Sequence, residues 1–178
     1  MKEPYPLRPF LLADTQRLQD LFGQSIEELT AEDYDEDQRL AWMSSAADGE
    51  AFGRRLAAAL TLVVEVEGEI LGFASLKGNR EIDMLYVHPY AAGQGVGGTL
   101  IDALEKLARA RGTDKLTVDA SDTAYDFFEY RGFAPVRRNT VTIDDVWVSN
   151  TTMEKDLAAA PAGRSGAGRR EKTGRTEP

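Results

Sequence analysis

The chain has 178 residues, 42% of them hydrophobic, no cysteine and a formal net charge of −9, proportions that suit one domain around one sizeable core. Without cysteine there is no disulfide, no thiolate metal site and no thiol nucleophile, and the acid excess argues against a nucleic-acid-binding body while fitting a cationic substrate. The amino terminus lacks the basic start and apolar run of a secretory leader, and no stretch reaches the length of a membrane span, so a cytoplasmic location is expected.

Residues 7–10 read as a short strand. Asp14 then stands where a helix cap belongs, ahead of Leu18, Leu21 and Phe22 at helical spacing. A second helix is expected over about 37–44, with Leu40 and Met43 in phase and Trp42 to one side. The acidic run TAEDYDED before it reads as a solvated helix start, and a rim that recruits substrate is the other reading. From residue 60 the period changes to two. Strands are predicted over 60–67, 70–76 and 81–87, punctuated by Glu67-Gly68 and Gly78-Asn79, and such short turns make them antiparallel neighbours.

A glycine-rich loop follows, then a helix whose apolar face is Leu100, Ile101, Leu104, Leu107 and Ala108 and which stops at Gly112. DKLTVDA is a buried strand, and a helical connection of this length makes it parallel to the strand before. A short helix over 123–131 ends at Gly132, and strands over 140–143 and 146–152 flank the turn Asp144-Asp145. Trp147, in the last strand, is expected in the core, whereas Trp42 suits either core or an acceptor pocket. The folded domain is placed at 1–157. Residues 158–178 hold no large apolar side chain and carry Arg164, Arg169, Arg170, Lys172 and Arg175 against Glu171 and Glu177, so a disordered basic tail is expected there.

Gly93, Gly95, Gly97 and Gly98 fall within six positions, a density that makes sense where backbone must approach a ligand. Gly93, Gly95 and Gly98 satisfy GxGxxG, and Asp119 ends the next strand where a dinucleotide fold places its ribose-binding carboxylate. Against that reading, residues 88–92 separate the strand from the first glycine, and three antiparallel strands precede it. The other reading is a loop and helix start that turn free backbone N–H groups toward a pyrophosphate.

At this point the sequence resembles the GNAT superfamily of acetyltransferases, over most of residues 5–157. The family's motif R/QxxGxG/A falls on Ala92, Gly93, Gln94, Gly95, Val96 and Gly97, with alanine in place of its Arg or Gln. LYVHP is similar to the strand that pairs by its main chain with pantetheine, and FFEYRGF resembles the short helix closing at Gly132-Phe133. The resemblance implies an α/β fold, a mixed sheet with a splayed central parallel pair and helices on both faces. It implies acetyl-CoA as cosubstrate and no metal. Leu85, Tyr86 and Val87 would serve the pantetheine, Gly93, Gln94, Gly95, Val96, Gly97 and Gly98 the pyrophosphate, and a backbone N–H would polarise the thioester. The acceptor would be a small-molecule or peptide amine, with no membrane or nucleic-acid partner. A homodimer is compatible with this reading.

Acetyl transfer to an amine needs a base for the ammonium proton and benefits from an acid at the leaving thiolate. Strict alternation places Glu81, Asp83, Leu85 and Val87 on one face, which makes Glu81 the first candidate base and Asp83 the second; surface carboxylates are the alternative. His88, before Pro89, reads as a solvated loop residue. Many members carry a tyrosine and an asparagine where this chain has Phe128 and Ser121. Phe128 cannot donate a proton, while Ser121 keeps a hydroxyl for the pantetheine. Tyr125, three residues before Phe128 on the same helix face, is the expected substitute acid, with Tyr130 pointing away and solvent as the other source. The missing tyrosine also leaves open a sensor or regulatory module that binds acyl-CoA without turnover.

Overall fold

Alternating apolar side chains build one seven-stranded sheet with helices on both faces, and the computed structural model describes residues 3–157 of it. The basic stretch 158–178 lies outside the described residues. Strand β1 (Leu7–Pro9) leads to three helices, α1 (Thr15–Leu29), α2 (Glu36–Ser44) and α3 (Gly49–Ala58). The antiparallel run β2 (Leu60–Val66), β3 (Glu69–Lys77) and β4 (Glu81–Val87) follows. Helix α4 (Val96–Ala110) crosses to β5 (Lys115–Ser121), parallel to β4, and α5 (Tyr125–Tyr130) precedes the hairpin of β6 (Ala134–Ile143) and β7 (Val146–Asp156). The spatial order is β1-β2-β3-β4-β5-β7-β6. Glu67-Gly68, Gly78-Asn79 and Asp144-Asp145 all have positive φ at both residues; in the first and last this is the twist-matched geometry of two-residue hairpin turns, while the β3–β4 loop takes in Arg80 as a third residue.

The two faces bury separate cores. On one, Leu18, Leu21, Phe22 and Ile26 of α1 and Phe52 and Leu56 of α3 pack on Val63, Phe73 and Met84. On the other, Val96, Leu100, Ile101 and Leu104 of α4 join Phe128 and Phe133 over Ala74, Ile82, Leu116 and Val118. Each of the Val, Leu, Ile, Phe and Met side chains among them contributes about 1.5–3 kcal/mol on burial.

Four expectations are corrected here. Helix α3 has no counterpart in the sequence reading, although Asp48 caps it at Ala51 N–H, 3.0 Å away. Asp14 does not cap α1 with its side chain; its carboxylate instead accepts from Arg8 at 2.7 and 2.9 Å and from Leu11 N–H at 2.9 Å. In α2 the buried residue is Ala41 and Leu40 is exposed; Asp35 caps the helix at Gln38 N–H, 2.9 Å away. Trp147 is 73% exposed rather than core, since it sits next to the tip of the β6–β7 hairpin.

Two irregularities prepare the site. Strands β4 and β5 pair only at Glu81 with Thr117 and Ile82 with Val118. Beyond that point β5 pairs with β7 as far as Ser121, so β4 and β5 diverge as a wedge. At the same level β4 holds one residue too many: Ser75 lies opposite Met84 and Leu76 opposite Ile82, which leaves Asp83 as a β-bulge. The bulge inverts the alternation. Ile82, Leu85 and Val87 face the α4 core, whereas Met84 and Tyr86 face α1. Asp83 reaches Arg55 of α3 and therefore lies on the α1 side. Glu81 and Asp83 thus do not share a face with Leu85 and Val87, and the single-face expectation is corrected.

Candidate active site

The wedge opens into a cavity of about 530 Å³ whose wall runs from the glycine loop, along β4 and β5, to the end of α1. His88 caps the turn Pro89–Ala91, and Gly93 and Gly95 then adopt φ of +73° and +95°, a left-handed backbone that side chains rarely tolerate. Thr99 N–H bonds to Gly95 O, so the N–H groups of Val96, Gly97 and Gly98 ahead of it have no partner within the helix. A Cβ at Gly93 or Gly95 would meet nothing within 4 Å, and one at Gly97 would touch the Phe127 ring at 3.5 Å. The loop is an open cradle at the positive end of α4. Gly93, Gly95, Gly97 and Gly98 all border the cavity, while Val96 turns its side chain into the core and Gln94 bonds to Tyr90 O at 2.6 Å.

Helix α4 can lie this close because β3 carries Gly72. A Cβ there would stand 2.8 Å from Val96 Cγ1, closer than real Cβ contacts come, and 3.0 Å from Tyr86 O, a tight contact. One glycine in the strand thereby sets the height of this turn over the sheet.

Leu85, Tyr86 and Val87 border the cavity together. His88 N–H bonds to Leu71 O across the β3 side, and the two-residue alternation of an antiparallel ladder sends the main chain of Tyr86 the same way. The N–H and C=O groups of Leu85 and Val87 therefore face the open wedge. Tyr86 contributes its side chain instead, which packs against Phe22 at 4.5 Å and accepts a hydrogen bond from Trp42 Nε1 at 3.2 Å. Burial pushes its phenol far above the ordinary range, the Trp42 hydrogen bond opposing weakly, so Tyr86 is held protonated. Trp42 borders the cavity and also packs against the α1-side core.

The strand carboxylates separate. Asp83 borders the cavity, with a side chain only 11% exposed and bonds from Arg55 to both oxygens. Glu81 is not part of the cavity wall. Arg55, which sequence reasoning missed with its helix, has its guanidinium pKa raised chiefly by the Asp83 hydrogen bonds. Asp119 was also missed in this role. It borders the cavity from β5, one step past the last paired position, and accepts a hydrogen bond from Thr152 Oγ1 at 2.6 Å through Oδ1. The pairing of Glu81 with Thr117 and Ile82 with Val118 is the signal that puts Asp119 level with Asp83.

On α5 the cavity-facing residues are Ala124, Phe127, Phe128 and Arg131, a stripe at i, i+3, i+4 and i+7, joined by Tyr130 near the rim. Tyr125 lies about 100° around the helix from Ala124. It packs against the α4 core and is held above its ordinary pKa by partial burial and then by the Glu129 carboxylate. The structure therefore brings Phe128, Tyr130 and Ser121 to the cavity and leaves Tyr125 outside it. Ser121 Oγ accepts from Ala124 N–H at 3.1 Å, which leaves its own proton to donate. Tyr34 donates to Ser149 O at 2.7 Å and accepts from Asp122 N–H at 2.8 Å.

A model of the acetyltransferase (GNAT) domain matches residues 30–157. The chain belongs to the GNAT acetyltransferases. It is similar to the uncharacterized N-acetyltransferase YafP of Escherichia coli K12, 31% identical over 147 residues that take in 83% of this chain and 93% of that one. A GCN5-related N-acetyltransferase of Rhodopseudomonas palustris superposes with a TM-score of 0.86 at 53% identity, covering 88% of this chain and 98% of that one. The PaiA N-acetyltransferase of Thermoplasma acidophilum, solved with coenzyme A, shares the fold at a TM-score of 0.72 and 20% identity over 86% and 99% of the two chains. The protein is thus an acyltransferase, and the mixed sheet with its splayed parallel pair is the GNAT fold.

Proposed function

We propose that this GNAT enzyme moves the acetyl group of acetyl-CoA to a primary amine, in a small molecule or a peptide, by direct attack. The observation that carries the reading is the wedge between β4 and β5, which opens beside the free amino end of α4 on one side and beside Asp83 and Asp119 on the other. The residues fit the cosubstrate. Gly93 and Gly95 leave the cradle clear, the N–H groups of Val96, Gly97 and Gly98 suit a pyrophosphate, and the main chain of Leu85 and Val87 suits an amide-bearing arm. Coenzyme A in the Thermoplasma relative adds support.

Acetyl-CoA would bring the activated thioester. A wedge-facing N–H of Leu85 or Val87 is suited to the carbonyl oxygen, where charge develops during attack. The amine arrives protonated near pH 7 and must lose that proton first. Asp119 is the better acceptor for it: both oxygens of Asp83 are engaged by Arg55, whereas Asp119 Oδ2 has no partner among the described residues. Asp83 and Arg55 brace the bulge on the same face. With Tyr125 outside the cavity, solvent returns the proton to the sulfur.

The test is release of free CoA from acetyl-CoA over a panel of amines, with the N-acetyl product identified by mass. Binding without release for every amine would replace the enzyme reading with an acyl-CoA sensor.

A further inference from the structure

The glycine loop holds a contradiction. Position 92, where related sequences place an Arg or Gln, is Ala92, and the protein as a whole carries −9; yet the cradle is shaped for phosphate. Among the described residues that line the cavity, the one cationic side chain is Arg131. It comes from the far end of α5 and folds over the first turn of α4, where it would stand 3.2 Å from a Cβ built on Gly98. Its Nη2 donates to Gly98 O at 3.3 Å and to Asp102 Oδ1, and the guanidinium lies over the Phe127 ring at 5.5 Å. Its Nε is buried with no partner among the described residues, which is costly for a charged group unless something else satisfies the head. A Cβ at position 98 would press on it, so that the guanidinium would have to give by a few tenths of an ångström.

We propose that Arg131 supplies the cation that Ala92 does not, binding the pyrophosphate of CoA from the α5 side. This rests on the reading that the cavity takes acetyl-CoA. Asp102 and the Phe127 ring hold the guanidinium flat against the turn whose N–H groups face the same anion. A planar head with donors fixed in a fork is suited to two phosphate oxygens at once. Gly98 is then explained as the position whose missing side chain gives Arg131 room to lie down.

The experiment is calorimetric titration of the full chain with CoA and with dephospho-CoA, for the wild type, Arg131→Gln, Asp102→Asn and Arg131→Gln with Ala92→Arg. Arg131→Gln is expected to weaken both ligands by about ten-fold, the usual worth of a charge-assisted contact. Asp102→Asn removes the ion pair but keeps the cation, so affinity should hold or improve; an equal loss in Asp102→Asn would make Arg131 a structural brace and overturn the proposal. Adding Ala92→Arg to Arg131→Gln should recover at least part of the affinity. Loss for CoA alone, with dephospho-CoA unaffected, would move the contact to the 3′-phosphate and overturn the pyrophosphate assignment. If the wild type binds CoA and Arg131→Gln binds it equally well, Arg131 has no such role. If the wild type itself does not bind CoA, the acetyl-CoA reading fails, and this proposal with it.

Discussion

Asp83 in β4 and Arg55 in α3 are joined at two points, Oδ2 to Nε at 2.8 Å and Oδ1 to Nη2 at 2.9 Å. A carboxylate gripped this way is a poor proton acceptor and a good brace. Asp119→Asn is therefore expected to lower kcat/KM for the amine by about 100-fold. Asp83→Asn should cost about ten-fold through misplacement of the bulge, and Glu81→Gln less than about two-fold. The pH–rate profile decides: the acidic limb, which reports the group that must be deprotonated to act, should change shape in Asp119→Asn alone, and an altered profile in Glu81→Gln would return the base to that residue.

Tyr125→Phe should leave kcat within about two-fold, because general acids are worth 10²-fold or more and this hydroxyl lies beside Glu129, outside the cavity. Solvent isotope effects on kcat should likewise match the wild type. A ten-fold fall would restore Tyr125 as the proton donor.

Gly97→Val should keep the fold, since the first atom added at Gly97 meets Phe127 only at ordinary contact distance. The branched carbons beyond it would crowd the cradle. CoA, which should raise the melting temperature of the wild type by mass action, is expected to give no shift in this variant, and NAD none in either. A larger shift from NAD than from CoA would overturn the assignment of the cradle.

Gly72→Ala tests the height of α4. With 2.8 Å to Val96 Cγ1, the added methyl must lift the helix start, at about 1–3 kcal/mol of stability. The KM for acetyl-CoA should rise while that for the amine stays unchanged, since only the cradle moves. Urea unfolding together with initial rates would show both effects.

Asp14 supplies a pH dependence. The Arg8 hydrogen bonds, partly opposed by desolvation, hold its carboxyl below the usual value. A depressed carboxylate contributes stability that is present above its unfolded pKa of about 3.9 and lost as pH falls toward the folded value. Urea midpoints should therefore decline below about pH 4 in the wild type and less steeply in Asp14→Asn. Arg8→Met, which leaves Asp14 buried beside Glu65 without its cation, should lose about 2 kcal/mol at pH 7.

The strands β2 to β4, helix α4 and the cradle were legible because their residues carry local signals: a period of two, a period of 3.6, and glycines in a cluster. The bulge was not. Nothing about Asp83 distinguishes an extra residue in the ladder from an ordinary one, and the inversion it causes is decided by Ser75 and Leu76 across the sheet. Helix α3 was hidden by Gly49 and Gly53, which weaken helical propensity; yet Gly53 is required, since a Cβ there would lie 2.9 Å from Thr15 Oγ1 of α1. The face of α5 failed for a related reason. The neighbourhood of Tyr125 and Phe128 follows from helix geometry, but the side of Phe128 on which the cavity opens depends on where β4 and β5 part.

The placement of the two indoles gives the enzyme an optical reporter. Trp147 stands in water at the hairpin tip, while Trp42 shares the cavity wall with Tyr86 and lies edge-on to Tyr34 at 5.4 Å. A Trp147→Phe protein would emit from Trp42 alone, at a position within reach of whatever enters the cavity. Quenching by iodide, efficient at Trp147 and hindered at Trp42, would separate the two emitters in the wild type. Occupancy of the cavity then becomes readable by fluorescence before any acetyl group has moved.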